Sequence, residues 1–129
     1  MAVTHSTAAR NAATDAVTAL IGASGRLKFL ITGSTVGALS TVVANLALSA
    51  TGFGASSTGT ATANAITSDT SATGGTIAFA ALTTSAGTAV IHCAVATTGS
   101  DINVTAGGLA VTAGDTVACS ALTYTALSA

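Results

Sequence analysis

The side chains able to do chemistry are few: His5, His92, four aspartates, no glutamate, and the cysteines Cys93 and Cys119. Catalysis needs a nucleophile, an acid or base, or a metal. His92 and Cys93 are adjacent in a β-patterned run, where neighbours point to opposite faces, so they cannot serve one substrate atom as base and nucleophile. A solvent-facing or hydrogen-bonded His92 is the expectation, and His5 falls in an N-terminal arm or helix start, where it can cap. A metal could draw on His92, Cys93 and Cys119, but no CxxC or HxxxH spacing is present and no fourth ligand is in view. No catalytic residue, metal or cofactor is therefore expected. Asp69, Asp101 and Asp115 lie in "TSDTS", "TGSDIN" and "TAGDTV", surroundings in which aspartate bonds the backbone of its own turn. One carboxylate per loop is a weak calcium site. The pairs Gly74-Gly75 and Gly107-Gly108 are not followed by a lysine and a helix, so they read as hairpin turns rather than phosphate cradles.

Composition narrows the field further. Half of the 129 residues are hydrophobic, yet 5% are charged and 3% aromatic, and Ala, Thr, Ser and Gly make up roughly two-thirds of the chain. A formal net charge of -1 leaves no basic patch for nucleic acid and no polybasic membrane anchor. Mean hydropathy is +0.74. The most apolar window, Val36 to Phe53, is broken by Gly37, Ser40, Thr41, Asn45, Ser49, Thr51 and Gly52 and has no flanking basic residues, so no membrane span is expected. The N-terminus lacks the pattern of a secretory signal, which points to synthesis in a cytoplasm and to Cys93 and Cys119 as packed thiols.

The length fits one domain over residues 1–129, divided into an N-terminal arm and helix (1–24) and a β-sandwich (25–129). Between Ser6 and Ile21 there is no glycine; Ala8, Ala9, Ala12, Ala13, Val17, Leu20 and Ile21 recur at helical spacing, and Ser6 or Thr7 can cap. Beyond Gly25 the period becomes two, with turn residues about every eight to twelve positions. Strands are predicted over Arg26 to Thr32, Thr41 to Leu48, Thr60 to Ile66, Thr76 to Leu82, Ala89 to Ala96, Ile102 to Thr105, Leu109 to Thr112 and Thr116 to Leu127. The fold class is all-β, a two-sheet sandwich with a short N-terminal helix.

Threonine suits such strands, because its branched Cβ packs on a pleated surface while its hydroxyl meets water or a neighbour. A sheet faced with Thr and Ala is nearly neutral, and with no proline or lysine guarding them its edges are expected to be open to another chain. Such a surface calls for a designated cover. Contact is expected through the segment Met1 to Arg10, with Met1, Val3, His5 and Arg10 as its leading residues, and through the loops near Phe53 and Asp69. Phe53, between Gly52 and Gly54, is either an anchor in a partner or folded inward.

The order of segments carries a resemblance. "TAARNAATDAVTALIGASGRLKFLITGS", then "ATGFGASSTGTATANAITSDTSATGGTIAFAAL", then "TTGSDINVTAGGLAVTAGDTVACSALTYT" resembles the capsid cement, or decoration, proteins of tailed bacteriophages across nearly the whole chain. The resemblance implies a jelly-roll-like sandwich on the exterior of the virion head. It implies the major capsid protein and copies of the chain itself, as dimer or trimer, for partners. No catalytic residues come with it. A tail-fibre or adhesin-type receptor-binding module is the second reading, although sugar recognition usually shows exposed aromatics and Tyr124 alone does not supply them. A Thr-rich β-solenoid is third, since the Thr-x-Thr pairs keep no fixed period.

Overall fold

The computed structural model describes residues 3–127, so Met1 lies outside the described residues. The chain is mostly β with one helix, α1 (Thr7–Ile21). Ser6 caps that helix as expected, its Oγ accepting from the Ala9 amide at 3.1 Å. Gly22, at φ 71°, ends it with its own amide donating to the Ala19 carbonyl.

The strands are β1 (Arg26–Leu30), β2 (Val42–Leu48), β3 (Thr60–Thr62), β4 (Ile66–Thr67), β5 (Gly75–Thr76), β6 (Phe79–Thr83), β7 (Ala89–Ala96), β8 (Ile102–Asn103), β9 (Ala110–Val111) and β10 (Thr123–Thr125). Six of them form one sheet in the order β4-β2-β1-β6-β7-β8, antiparallel except for the β7–β8 pair. The crossovers and antiparallel pairing differ from the stacked parallel coils of a solenoid.

Register explains why this sheet is the stable part of the molecule. Leu27 stands opposite Leu46 on one side and Leu82 on the other, and Phe29 opposite Ala44 and Ala80. Directly opposed residues share a face, so the Phe29 ring has small neighbours on both sides that make room for it. Leu27 and Leu46 are fully buried, each contributing about 1.5–3 kcal/mol in apolar burial. Arg26 and Lys28 alternate onto the other, wetter face.

Two register shifts shape the sheet. Between Phe29 and Leu30, β2 carries Val43 as an extra residue; between Leu82 and Thr83, β7 carries Val90. A bulge twists its strand and re-aims its backbone. The Val43 carbonyl accepts from the Thr73 and Gly74 amides at 2.9 and 3.3 Å, and so seats the next layer.

That layer is a long, interrupted antiparallel ribbon. Residues 60–77 run against residues 109–125: β3 pairs β10, Asp69 bridges Val117, Ala72 exchanges bonds with Gly114 and Asp115, β5 pairs β9, and the Ile77 amide donates to the Leu109 carbonyl. β4 belongs to the same outgoing run and joins it to β2. Phe53, Ala61, Ala72 and Ile77 from this layer and the loop before it close the core over Leu27, Phe29 and Val43.

Several predicted strands are shorter than expected. Thr60 to Ile66 breaks into β3 and β4, Thr76 to Leu82 into β5 and β6, and Thr116 to Leu127 keeps regular pairing only at β10. Gly74 and Gly75 make no hairpin. They sit inside the ribbon at φ 96° and 132°, and a Cβ at Gly74 would stand 2.8 Å from the Ala113 amide nitrogen, so glycine is needed there for close approach. Gly107 and Gly108, both at positive φ, do turn the chain, but β8 and β9 on either side pair with other strands.

The strands at the two ends of this sheet are short. Both edge strands, β4 and β8, have two residues, and β7 is bulged. Where these short strands run out, carboxylates take over: Asp69 Oδ2 accepts from the Asn45 amide at 2.9 Å and Asp101 Oδ2 from the Ala94 amide at 3.1 Å. β4 pairs with β2 and continues into the outgoing run of the ribbon, while β8 is left as the outermost strand of the sheet.

Candidate interaction surfaces

α1 is held by polar side chains more than by apolar area. Its own buried residues are Thr14 and Ile21. Thr14 Oγ1 donates to the Gly59 carbonyl at 2.6 Å and accepts from the Ala126 amide at 3.1 Å. One turn earlier, Asn11 Oδ1 accepts from the Gly59 amide at 2.7 Å, and Asp15 Oδ1 from the Ser56 amide at 2.9 Å. Arg10 belongs to this clasp: an Nη1 proton reaches the Thr58 carbonyl at 3.3 Å, while Nε is buried with no partner. Thr58 itself is strained at φ 50°. This polar clasp was not visible in the sequence, where the periodicity picked out the apolar positions from Ala8 to Ile21.

The residues expected to make contacts fall into two groups. Val3 is 76% exposed and His5 is exposed in the arm before Ser6. By contrast Arg10 is half-buried in the clasp, and Phe53 is 8% exposed in the core, so the inward alternative for Phe53 holds and the anchor alternative does not. Asp69 is also committed internally, accepting from Asn45 and, through Oδ1, from the Ser71 amide at 2.9 Å.

His92 points away from Cys93. Its Nε2 lies 3.0 Å from Ser34 Oγ and its ring centroid 5.1 Å from that of Phe79 on the same sheet face. A serine hydroxyl at that distance from an imidazole is a nucleophile–base geometry. Here it acts as a latch: Ser34 is 6% exposed, its Oγ also accepts from the Ser40 amide, and Ser40 Oγ bonds the Ile31 carbonyl, which together fold the loop after β1 over the sheet.

Cys93 and Cys119 are free and half-buried. Burial, with the Asp101 carboxylate beside it, pushes the Cys93 thiol up to about 11, and burial also raises that of Cys119. A thiol held protonated is a poor nucleophile and a poor metal ligand. No group of three His, Cys, Asp or Glu is placed to hold a metal among the described residues. Nor is any helix among them long and apolar enough to cross a membrane.

All four aspartates spend a carboxylate oxygen on the chain's own backbone. Asp15 takes the Ser56 amide, Asp69 those of Asn45 and Ser71, Asp101 that of Ala94, and Asp115 that of Thr112. Asp69 and Asp115 thereby form the expected turns, whereas Asp101 reaches seven residues back to a strand. Charges are few, and Asp15, Asp101 and Asp115 stay exposed while bonded, on a surface otherwise rich in Thr, Ala, Ser and Gly. No protein-family model, no curated protein and no solved structure matches this chain.

Proposed function

We propose that this chain is a non-enzymatic viral structural protein, a capsid cement or decoration protein that binds the outer head shell and reinforces contacts between major capsid subunits. The observation that carries the reading is the scarcity of charge on a Thr-, Ala-, Ser- and Gly-rich surface, with all four carboxylates also bonding the chain's own amides. A domain with a formal charge of -1 and 5% charged residues has little electrostatic defence against association, which suits a protein kept on a lattice. The resemblance of the segment order to that of phage cement proteins supplies the class of partner. In this reading the curled sheet and the ribbon are the two layers of a jelly-roll-like sandwich.

The mechanism is mechanical. Internal pressure in a DNA-filled head pushes subunits apart, and a bridging protein adds contacts that must break first. A specific interface buries about 1,600 Å², and repetition over a shell makes modest energies large together. The test is to add purified chain to heads stripped of their surface proteins and then heat or decompress them. Heads carrying the chain are expected to survive higher temperature; equal failure with and without it contradicts the reading.

A further inference from the structure

The curled sheet and the ribbon form a wall with one gap. In space the order runs from the 109–125 strand through the 60–77 strand to β2, β1, β6, β7 and β8. The two ends of this series, β8 and the 109–125 strand, face each other across a cavity of about 460 Å³. Phe29 and Ile77 from the core form part of its lining.

Both ends present backbone that no strand covers. The Val104 amide donates to the Ala96 carbonyl on β7, so Asn103, one residue earlier, turns its amide the other way, toward the cavity. The Asn103 side chain does not cap it, being bonded to Ser100. On the opposite wall Val117 exchanges both backbone bonds with Asp69, so Thr116 and Ala118 turn theirs toward the cavity. Alternation in the parallel β7–β8 pair turns the Asn103 amide away from β7, and among the described residues outside the strands the Thr116 and Ala118 amides find no backbone partner. Two strand edges lining one cavity, with Phe29 and Ile77 in its wall, suit an extended peptide bound by main-chain hydrogen bonds with alternate side chains turned inward.

We propose that this gap is a strand-acceptor groove filled by the N-terminal arm of a second copy of the chain, the segment ending at Ser6. Among the described residues, 3–6 of the arm lie outside every helix and strand, Ser6 has extended backbone dihedrals, and Val3 is 76% exposed. Charge agrees: the groove is lined by Asp101 and Asp115 with no cation, and the arm has no carboxylate, the first in the chain being Asp15. The rigid clasp on α1 fixes where the arm leaves its own protomer. This deepens the reading of the chain as an assembly component and rests on it for its biological setting.

The test uses the purified full-length chain and two proline variants. Thr4→Pro removes an amide from the arm outside the core. Ala118→Pro removes a groove amide that has no bond to lose within the chain. Sedimentation velocity should show the wild type as an oligomer, with the Asn103, Thr116 and Ala118 amides slow in hydrogen exchange. Each variant should weaken self-association by about tenfold or more, and Thr4→Pro should release those amides while melting like the wild-type chain diluted to its monomer. If Ala118→Pro fails to fold, Thr4→Pro alone decides. A wild type that stays monomeric at all concentrations, or a Thr4→Pro chain that assembles and protects those amides like wild type, overturns the proposal. Thr4→Pro chain that still coats stripped heads while failing to self-associate supports exchange and leaves the cement reading standing; self-association without head binding supports exchange and removes that reading.

Discussion

The central sheet and the ribbon are built from the same small-residue alphabet, yet they are held together differently. β1, β2 and β6 align Leu27, Leu46 and Leu82 in register and bury them almost completely. Between residues 60–77 and 109–125 the pairing is broken, the side chains are mostly Thr, Ala and Gly, and order comes from single contacts such as the Val43 carbonyl and the Asp69 carboxylate. Where apolar area is available the backbone ladder is continuous. Where it is not, polar side chains must hold the backbone point by point.

Substitutions should separate the two regimes. Leu46→Ala strikes the sheet and should cost about 2–5 kcal/mol, because a fully buried leucine leaves a cavity that neighbouring strands cannot close. Denaturant unfolding would show it as a lower midpoint. Gly25→Ala comes next. A Cβ there collides with the Ile21 side chain and stands 2.8 Å from the Thr83 carbonyl, so overpacking of about 1–3 kcal/mol is expected. Thr14→Val keeps shape but strips the clasp, leaving the Gly59 carbonyl and the Ala126 amide without that hydroxyl, at about 1–3 kcal/mol. It should loosen α1 and the 56–59 turn in hydrogen exchange before the sheet responds.

The smallest expected effect is one of pH. The Cys93 thiol rises from 9.0 to about 11 on folding, so the folded state holds its proton where the unfolded state has lost it. Stability from this source is complete below pH 9 and disappears as pH climbs through about 11. Cys93→Ala should flatten that alkaline slope in thermal melts, and a slope unchanged by the substitution would assign it elsewhere.

Legibility in the sequence followed the same division. β7 was predicted over its observed span, Ala89–Ala96, because Val90, Ile91, Cys93 and Val95 form an apolar run broken only by His92. α1 was marked by its cap and by the glycine that ends it. The ribbon was misjudged in length: its strands are interrupted by what they cross, as at Gly74 and Ala113, and no local pattern encodes a crossing. The pairing of Ser34 with His92 joins residues 58 apart through a loop, and the role of Asp101 depends on an amide in a neighbouring strand, so neither had a local signal. Phe53 was ambiguous for a similar reason, since flanking glycines permit an aromatic to turn either way.

The central claim is that a nearly charge-free surface docks on a shell through shape and backbone contacts. Its most direct measurement is binding of the purified chain to stripped heads as salt is raised from low to molar concentration, where screening shortens to about 3 Å. Saturable binding that changes little across that range is the predicted result. No binding, or binding that collapses steeply with salt, would contradict the account.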